Sequence, residues 1–267
     1  MGFGYEAVAA RNPRLVYCSI SGFGAHGPRA KSRAYDLVVQ ALAGFAACQA
    51  GPSGEPELVR SYVCDKVTAL IAAQAITAAL FSRTTTGKGQ HVEVAMFDVA
   101  LAFNWPEGMW NQAFLDAPPA PAPEVSTSYR LWRTRDGHVS LSALQQVEFE
   151  ALCRALESPE IYRDPRFATA TLRMANRIEY RDLLEAKVAS FTTAELDARL
   201  AHEDAPGGRV NLREDLLTDP QAQENGNFIE IDAGDLGRVR TARHPARFGS
   251  TPVNPRPHAA PRLPKKG

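Results

Sequence analysis

The sequence predicts an α/β chain in two parts, a larger domain of layered strands and helices followed by a smaller α+β domain. Three observations carry this. Short β-rich runs alternate with helical runs as far as Leu115, the order that layered sheet-and-helix folds require. The run Pro118-Pro119-Ala120-Pro121-Ala122-Pro123 then interrupts the chain, and such a run is neither helix nor central strand. Beyond it the texture changes to hairpin signals mixed with amphipathic helices. These breaks place the large domain at 1–122, an extended linker near 117–127 and the small domain at 123–225. A return segment and extended tail occupy 226–267, the tail starting near Pro245, where prolines recur.

The chain enters almost directly on a helical segment, with no strand before it. Leu15–Ile20 is a short β-rich run stopped by Gly22, as a buried strand would be. Tyr35–Gln49 carries Leu37, Val38, Ala41, Leu42 and Phe45 at helical spacing. Leu58–Val63 reads as a second short strand, and Asp65–Arg83 as a long alanine-rich helix closed by Gly87. His91–Met96 reads as a strand and Phe97–Leu115 as a further helix. After the linker, Tyr129–Arg133 and His138–Leu144 flank Asp136-Gly137, a hairpin signal. Helices are expected at Glu148–Leu156, Asn176–Phe191 and Glu195–His202, with Thr192 and Glu195 at capping-box spacing. Phe228–Ile231 and Arg238–Thr241 form a last hairpin around Gly234 and Gly237.

Composition narrows the function. Of 267 residues, 30 are basic and 30 acidic, so the net charge gives no footprint for nucleic acid or an anionic membrane. The apolar stretch Val67–Phe81 is broken by Thr68, Gln74 and Thr77 and falls short of the ~18 apolar residues of a bilayer span. No charged-then-apolar leader opens the chain. Cys18, Cys48, Cys64 and Cys153 lie far apart without a CxxC pair, which suits thiols of a reducing compartment. The expectation is a cytoplasmic protein with a small-molecule or protein partner.

Gly22-Phe23-Gly24-Ala25-His26-Gly27 fits GxGxxG after a strand, a dinucleotide signal whose context fails. No helix opens at the third glycine, and no acidic residue ends a second strand about 20 residues on. Arg29, Lys31 and Arg33 follow the loop closely. Glycines beside clustered cations suit phosphate or carboxylate binding, although such a run is also an ordinary solvated surface. Asp65 stands between a β-like run and the alanine-rich helix. It reads either as a simple N-cap or as a carboxylate nucleophile kept ionised by the helix N-terminus. The histidines and cysteines show no metal-ligand spacing, and neither a GxSxG elbow nor a P-loop is present. Trp105, Met109 and Trp110 read as core or interface filling.

Several stretches, in this order, resemble the family III coenzyme A transferases, which include the α-methylacyl-CoA racemases. They are Asn12-Pro13-Arg14-Leu15-Val16-Tyr17, Ser19-Ile20-Ser21-Gly22-Phe23-Gly24, Gly27-Pro28, Tyr35-Asp36-Leu37 and Thr86-Gly87-Lys88-Gly89-Gln90. Asp136-Gly137, Asp164-Pro165-Arg166-Phe167, Gly207-Gly208-Arg209-Val210-Asn211, Asp219-Pro220-Gln221 and Pro245-Ala246-Arg247-Phe248 continue the series.

The resemblance implies a CoA transferase moving coenzyme A between an acyl-CoA donor and a carboxylic acid acceptor. It places the covalent nucleophile at Asp65 and the coenzyme A site at Arg33, Ala34, Tyr35 and Asp36, with Lys31 a further candidate. Backbone N–H groups of the turn, Lys66 included, suit the oxyanion. Neither metal nor redox cofactor is implied. A Rossmann-like large domain and an interlocked homodimer are also implied. The chain begins after the Arg-Pro-Gly turn that ends the family's N-terminal half and stops before the family's final helix, so the large domain is expected to be truncated. Tyr35 stands where racemases have His, and Gln146 where they have an acidic residue, which favours transferase. The alternatives are a non-catalytic fragment or subunit needing an N-terminal partner, an acyl-CoA racemase, and an NAD-binding oxidoreductase.

Overall fold

Helix α1 (Tyr5–Ala9) is followed by strand β1 (Tyr17–Ser21). The computed structural model describes residues 2–50, 54–116 and 129–251, so the linker and the end of the tail lie outside the described residues. The chain divides into two units, Met1–Arg130 and Leu131–Gly267.

In the first unit β1 pairs in parallel with β2 (His91–Ala95), Tyr17 opposite His91 and Ser21 opposite Ala95. Parallel neighbours need a long crossover. It is supplied by α2 (Asp36–Leu42), α3 (Phe45–Cys48) and α4 (Val63–Thr86), and α5 (Met96–Gly108) follows β2 directly. Helix α4 turns Cys64, Thr68, Ala72 and Ala79 inward, small residues that let α5 and β2 approach closely. Val39, Ala43, Phe45, Cys64 and Ala100 form one core cluster, and Ala72, Val94 and Val99 another. At 24 residues and a mean hydropathy of 1.4 over its most apolar window, α4 is long and apolar enough to cross a membrane, more than the sequence suggested. It packs instead as the crossover of a parallel strand pair.

The motif after α4 lies against the one before β1. Gly87 ends the helix in the left-handed region, φ 70°, and Arg14 Nη1 donates to its carbonyl at 3.2 Å. Gly89 donates its N–H to the Pro13 carbonyl at 2.9 Å. A Cβ on Gly89 would sit 1.9 Å from the Leu15 carbonyl oxygen, so only glycine fits. Entry helix α1 is fastened by Tyr5, whose ring stacks on His91 at 4.8 Å.

Three expectations need correction. Residues 58–62 are not a strand, and Val63 already belongs to α4. The Gln40 side chain replaces a strand partner there: Oε1 accepts from the Val59 N–H, and Nε2 donates to the Val59 and Ser61 carbonyls. The helix expected over 35–49 breaks at Gly44, φ 83°, where Asn104 Nδ2 donates to the Ala43 carbonyl. The helix expected to reach Leu115 ends at Gly108, two residues after Pro106. A Cβ at Gly108 would meet Asn104 Nδ2 at 2.6 Å and Cys48 Sγ at 2.9 Å.

The second unit holds an antiparallel sheet of β3 (Trp132–Arg133), β4 (His138–Leu141) and β5 (Gly207–Arg209), in the order β3-β4-β5. At the hairpin turn Asp136 Oδ1 accepts the Thr193 N–H at 2.7 Å and its hydroxyl at 2.8 Å. These bonds hold the carboxyl below its usual range. Helices α6 (Gln146–Ala155), α7 (Pro159–Arg163), α8 (Ala170–Ala175), α9 (Arg177–Val188) and α10 (Thr193–His202) enclose a core of Phe149, Phe167, Leu184, Val188, Leu196 and Leu200. The Thr192–Glu195 capping box is formed. Strand β5 escaped the sequence reading because two of its three residues are glycine. Gly207 lies so close to β4 that a Cβ would meet the Ser140 carbonyl oxygen at 2.8 Å. Helix α11 (Pro220–Glu224), capped by Asp219, precedes the expected hairpin of β6 (Phe228–Asp232) and β7 (Arg238–Ala242).

Candidate active site

The loop after β1 is shaped by a close approach, not by a ligand-binding helix. A Cβ on Gly22 would fall 2.2 Å from that of Ala34, and the Gly22 carbonyl accepts the Phe97 N–H at 3.0 Å. Residues 24–33 then run through turns and bends, and α2 opens only at Asp36. The dinucleotide fingerprint therefore lacks the helix that would receive a pyrophosphate. The Arg29 guanidinium lies over the Phe23 ring, 5.9 Å from its centroid. Lys31 and Arg33 are exposed.

The loop ends on Ala34, packed against the first core cluster, and Tyr35, the exposed N-cap of α2. Asp36 is different. It is 4 % exposed and Gln40, one turn later, 2 %. Oδ1 accepts from Gln40 Nε2 at 2.5 Å, and Oδ2 accepts the backbone N–H of Asp65 at 2.9 Å. The Tyr-Asp pair and Asp65, 29 positions apart, thus meet through one buried carboxylate. The same Gln40 amide holds residues 59–61, so the approach to α4 and its first turn hang from a single network.

Asp65 is not the N-cap. Tyr62 holds that position without a side-chain cap, and Asp65 is the third residue of α4. Its own carboxylate is exposed and takes no hydrogen bond or ion pair among the described residues. Lys66, a candidate oxyanion donor from sequence, donates its N–H to the Tyr62 carbonyl at 3.2 Å, and its Nζ donates to Ser61 Oγ at 3.0 Å. Cys64, buried beside Asp65, has its thiol pushed up to about 11, first by burial and then by the Asp36 and Asp65 charges. Sequence reading missed Gln40 and Ser61. The signal for Gln40 was present in its spacing from Asp36, since residues four apart face each other on a helix. Among the described residues no group of three or more His, Cys, Asp or Glu is placed to hold a metal ion.

The described residues thus form an α/β unit and a smaller α+β unit, with an exposed carboxylate in the first turn of an uncapped helix. The chain belongs to CoA-transferase family III, whose sequence profile matches residues 1–266. It is 32% identical to the succinate–glutarate CoA-transferase of Agrobacterium fabrum, over 94% of this chain and 64% of that protein. It is 30% identical to the succinyl-CoA:mesaconate CoA-transferase of Haloarcula marismortui, over 94% of this chain and 65% of the relative. The chain therefore spans just under two thirds of the length of these curated relatives. Among solved structures it resembles Rv3272 from Mycobacterium tuberculosis, with a TM-score of 0.82 and 28% identity over 97% of this chain and 70% of that one. A CAIB/BAIF family protein from Brucella suis gives 0.75 and 33%, over 95% and 66%.

Proposed function

We propose that this chain transfers coenzyme A from an acyl-CoA to a free carboxylic acid, with Asp65 as the covalent nucleophile. The observation that carries the reading is the Asp65 carboxylate: exposed, without a partner among the described residues, on a backbone fixed by buried Asp36. The relatives' names support the transfer of coenzyme A between acids, those named being succinate, glutarate and mesaconate.

The steps balance without a redox group. The Asp65 carboxylate attacks the donor thioester carbonyl, the C–S bond breaks, and a mixed anhydride and coenzyme A thiolate form. The thiolate attacks the aspartyl carbonyl of the anhydride, which releases the donor acid and leaves an aspartyl thioester. The acceptor carboxylate attacks that thioester to give a second anhydride and free thiolate. The thiolate then attacks the acceptor's acyl carbon, producing the new acyl-CoA and restoring Asp65. Thioester and anhydride are both activated acyl groups, so no step needs an external energy source.

In this reading Asp36 is a positioning residue, and exposed Lys31, Arg33 and Tyr35 are the groups free to meet the coenzyme, Ala34 bringing backbone past Gly22. A homodimer in the cytoplasm is the setting we assign to it. The test is intact mass after incubation with succinyl-CoA. A hydroxylamine-sensitive adduct is expected on the native chain and not on Asp65→Ala; an unmodified native chain across several acyl-CoAs overturns the reading.

A further inference from the structure

The second unit holds a buried cation that enters no ion pair among the described residues. Arg173, on α8, is 6 % exposed, and a guanidinium that deeply placed is ordinarily paired with a carboxylate. Here Nη1 donates to the Gln146 Oε1 and to the Phe167 carbonyl, both at 3.0 Å. The guanidinium carbon lies 4.2 Å from the centroid of the Phe149 ring. Its Nε and Nη2 donate to no atom among the described residues, and it enters no ion pair among them. Those donors are not sealed in, since the one fully buried side-chain polar atom lacking a partner among the described residues is Asn211 Oδ1. Arg173 lines an open cleft of about 450 Å³.

The walls of that cleft say what it takes. Gln146, its Oε1 turned to Arg173, keeps its Nε2 as a second donor, and Leu144 and Ala170 give apolar surface. Glu150 lines the same cleft, with its carboxylate accepting from Tyr162 Oη at 2.8 Å. The fork geometry of a guanidinium matches a carboxylate, whereas Glu150 on the same wall repels a second negative charge. We propose that this cleft binds a small monocarboxylic acid with an uncharged tail, its carboxylate held by Arg173 and Gln146. All the residues of the site belong to the second unit, and the proposal does not depend on Asp65 being a nucleophile.

Calorimetric titration of the full chain with butyrate and with its neutral amide, butyramide, tests this. Butyrate is expected to bind in the millimolar range, and butyramide and the dicarboxylate glutarate at least tenfold more weakly, the scale of a lost charge-assisted contact. Arg173→Lys keeps the charge but loses the fork, and is expected to weaken butyrate about tenfold. Because Arg173 is buried, Ala170→Trp, at an exposed position, provides an independent block and is expected to abolish binding. Asp65→Ala is expected to bind butyrate as the native chain does. Equal binding of butyrate and butyramide, undiminished binding by Ala170→Trp, or no heat from butyrate up to about 50 mM would each overturn the proposal.

Discussion

Substituting Asp36 by Asn is the sharpest test of how Asp65 is positioned. The native site offers two donors to one carboxylate, Gln40 Nε2 at 2.5 Å and the Asp65 N–H at 2.9 Å. Gln40 cannot turn over to help, because its Oε1 already accepts from the Val59 N–H and its two Nε2 hydrogens are shared among Asp36 and the Val59 and Ser61 carbonyls. An asparagine supplies one acceptor and one donor, so one of the two donors faces another donor in a site only 4 % exposed. An orphaned buried donor costs about 1 to 3 kcal/mol. The negative charge at the first turn of α2 is lost as well, worth up to about 1 kcal/mol. We expect a loss near 3 kcal/mol in urea unfolding. At a slope of about 2 kcal/mol per M that lowers the midpoint by roughly 1.5 M. The rate of adduct formation on Asp65 should fall beyond what unfolding explains, measured under conditions where the variant is still folded. A shift below about 0.5 kcal/mol, the range of ordinary surface substitutions, would refute the claim that this carboxylate supports the turn.

Two more tests address the framework. Gly89→Ala is expected to cost about 3 kcal/mol or more, because its Cβ would lie 1.9 Å from the backbone oxygen of Leu15, which cannot rotate away. Gly27→Ala meets nothing within 4 Å and carries only the strain of φ +90°, about 1 kcal/mol; equal losses in thermal unfolding would contradict the close approach. The buried thiols give a pH signature, with Cys64 raised from 9.0 to about 11 and Cys153 from 9.0 to about 12 by burial. Between pH 9 and 11 the folded chain then holds more protons than the unfolded one, so stability should fall as pH rises through that window and stay flat for this pair below it. Cys64→Ala should flatten the fall, and an unchanged slope would count against the burial argument.

The legible parts of the fold were those with local signals. The β1 and β2 runs, the Asp136-Gly137 turn and the Thr192–Glu195 cap are each determined by a few neighbouring residues, and all appear where expected. The errors came where distant side chains override local pattern. Val59 and Ser61 satisfy their backbone through Gln40 rather than through a strand, and Asn104 reaches 61 positions back to cap the chain at Ala43. In the candidate site, Asp65 and the Tyr35-Asp36 pair stood out by motif. The division of labour between the carboxylates did not, because burial is invisible in a dipeptide.

That division decides what Asp65 is able to do. An aspartate serving as N-cap commits an oxygen to the N–H groups of its own helix, which holds it ionised but lowers its nucleophilicity. Here the cap position falls to Tyr62, which makes no side-chain bond, and Asp65 sits inside the first turn. A different carboxylate, Asp36, takes the hydrogen bond from Asp65's backbone. With Asp65 as the proposed nucleophile, anchoring and chemistry fall to separate side chains: one buried and hydrogen-bonded, the other exposed. Exchanging the two roles, with Asp65 hydrogen-bonded and Asp36 free, would leave the proposed nucleophile sealed inside the core. The inward turn of Asp36 is therefore a condition for the outward availability of Asp65.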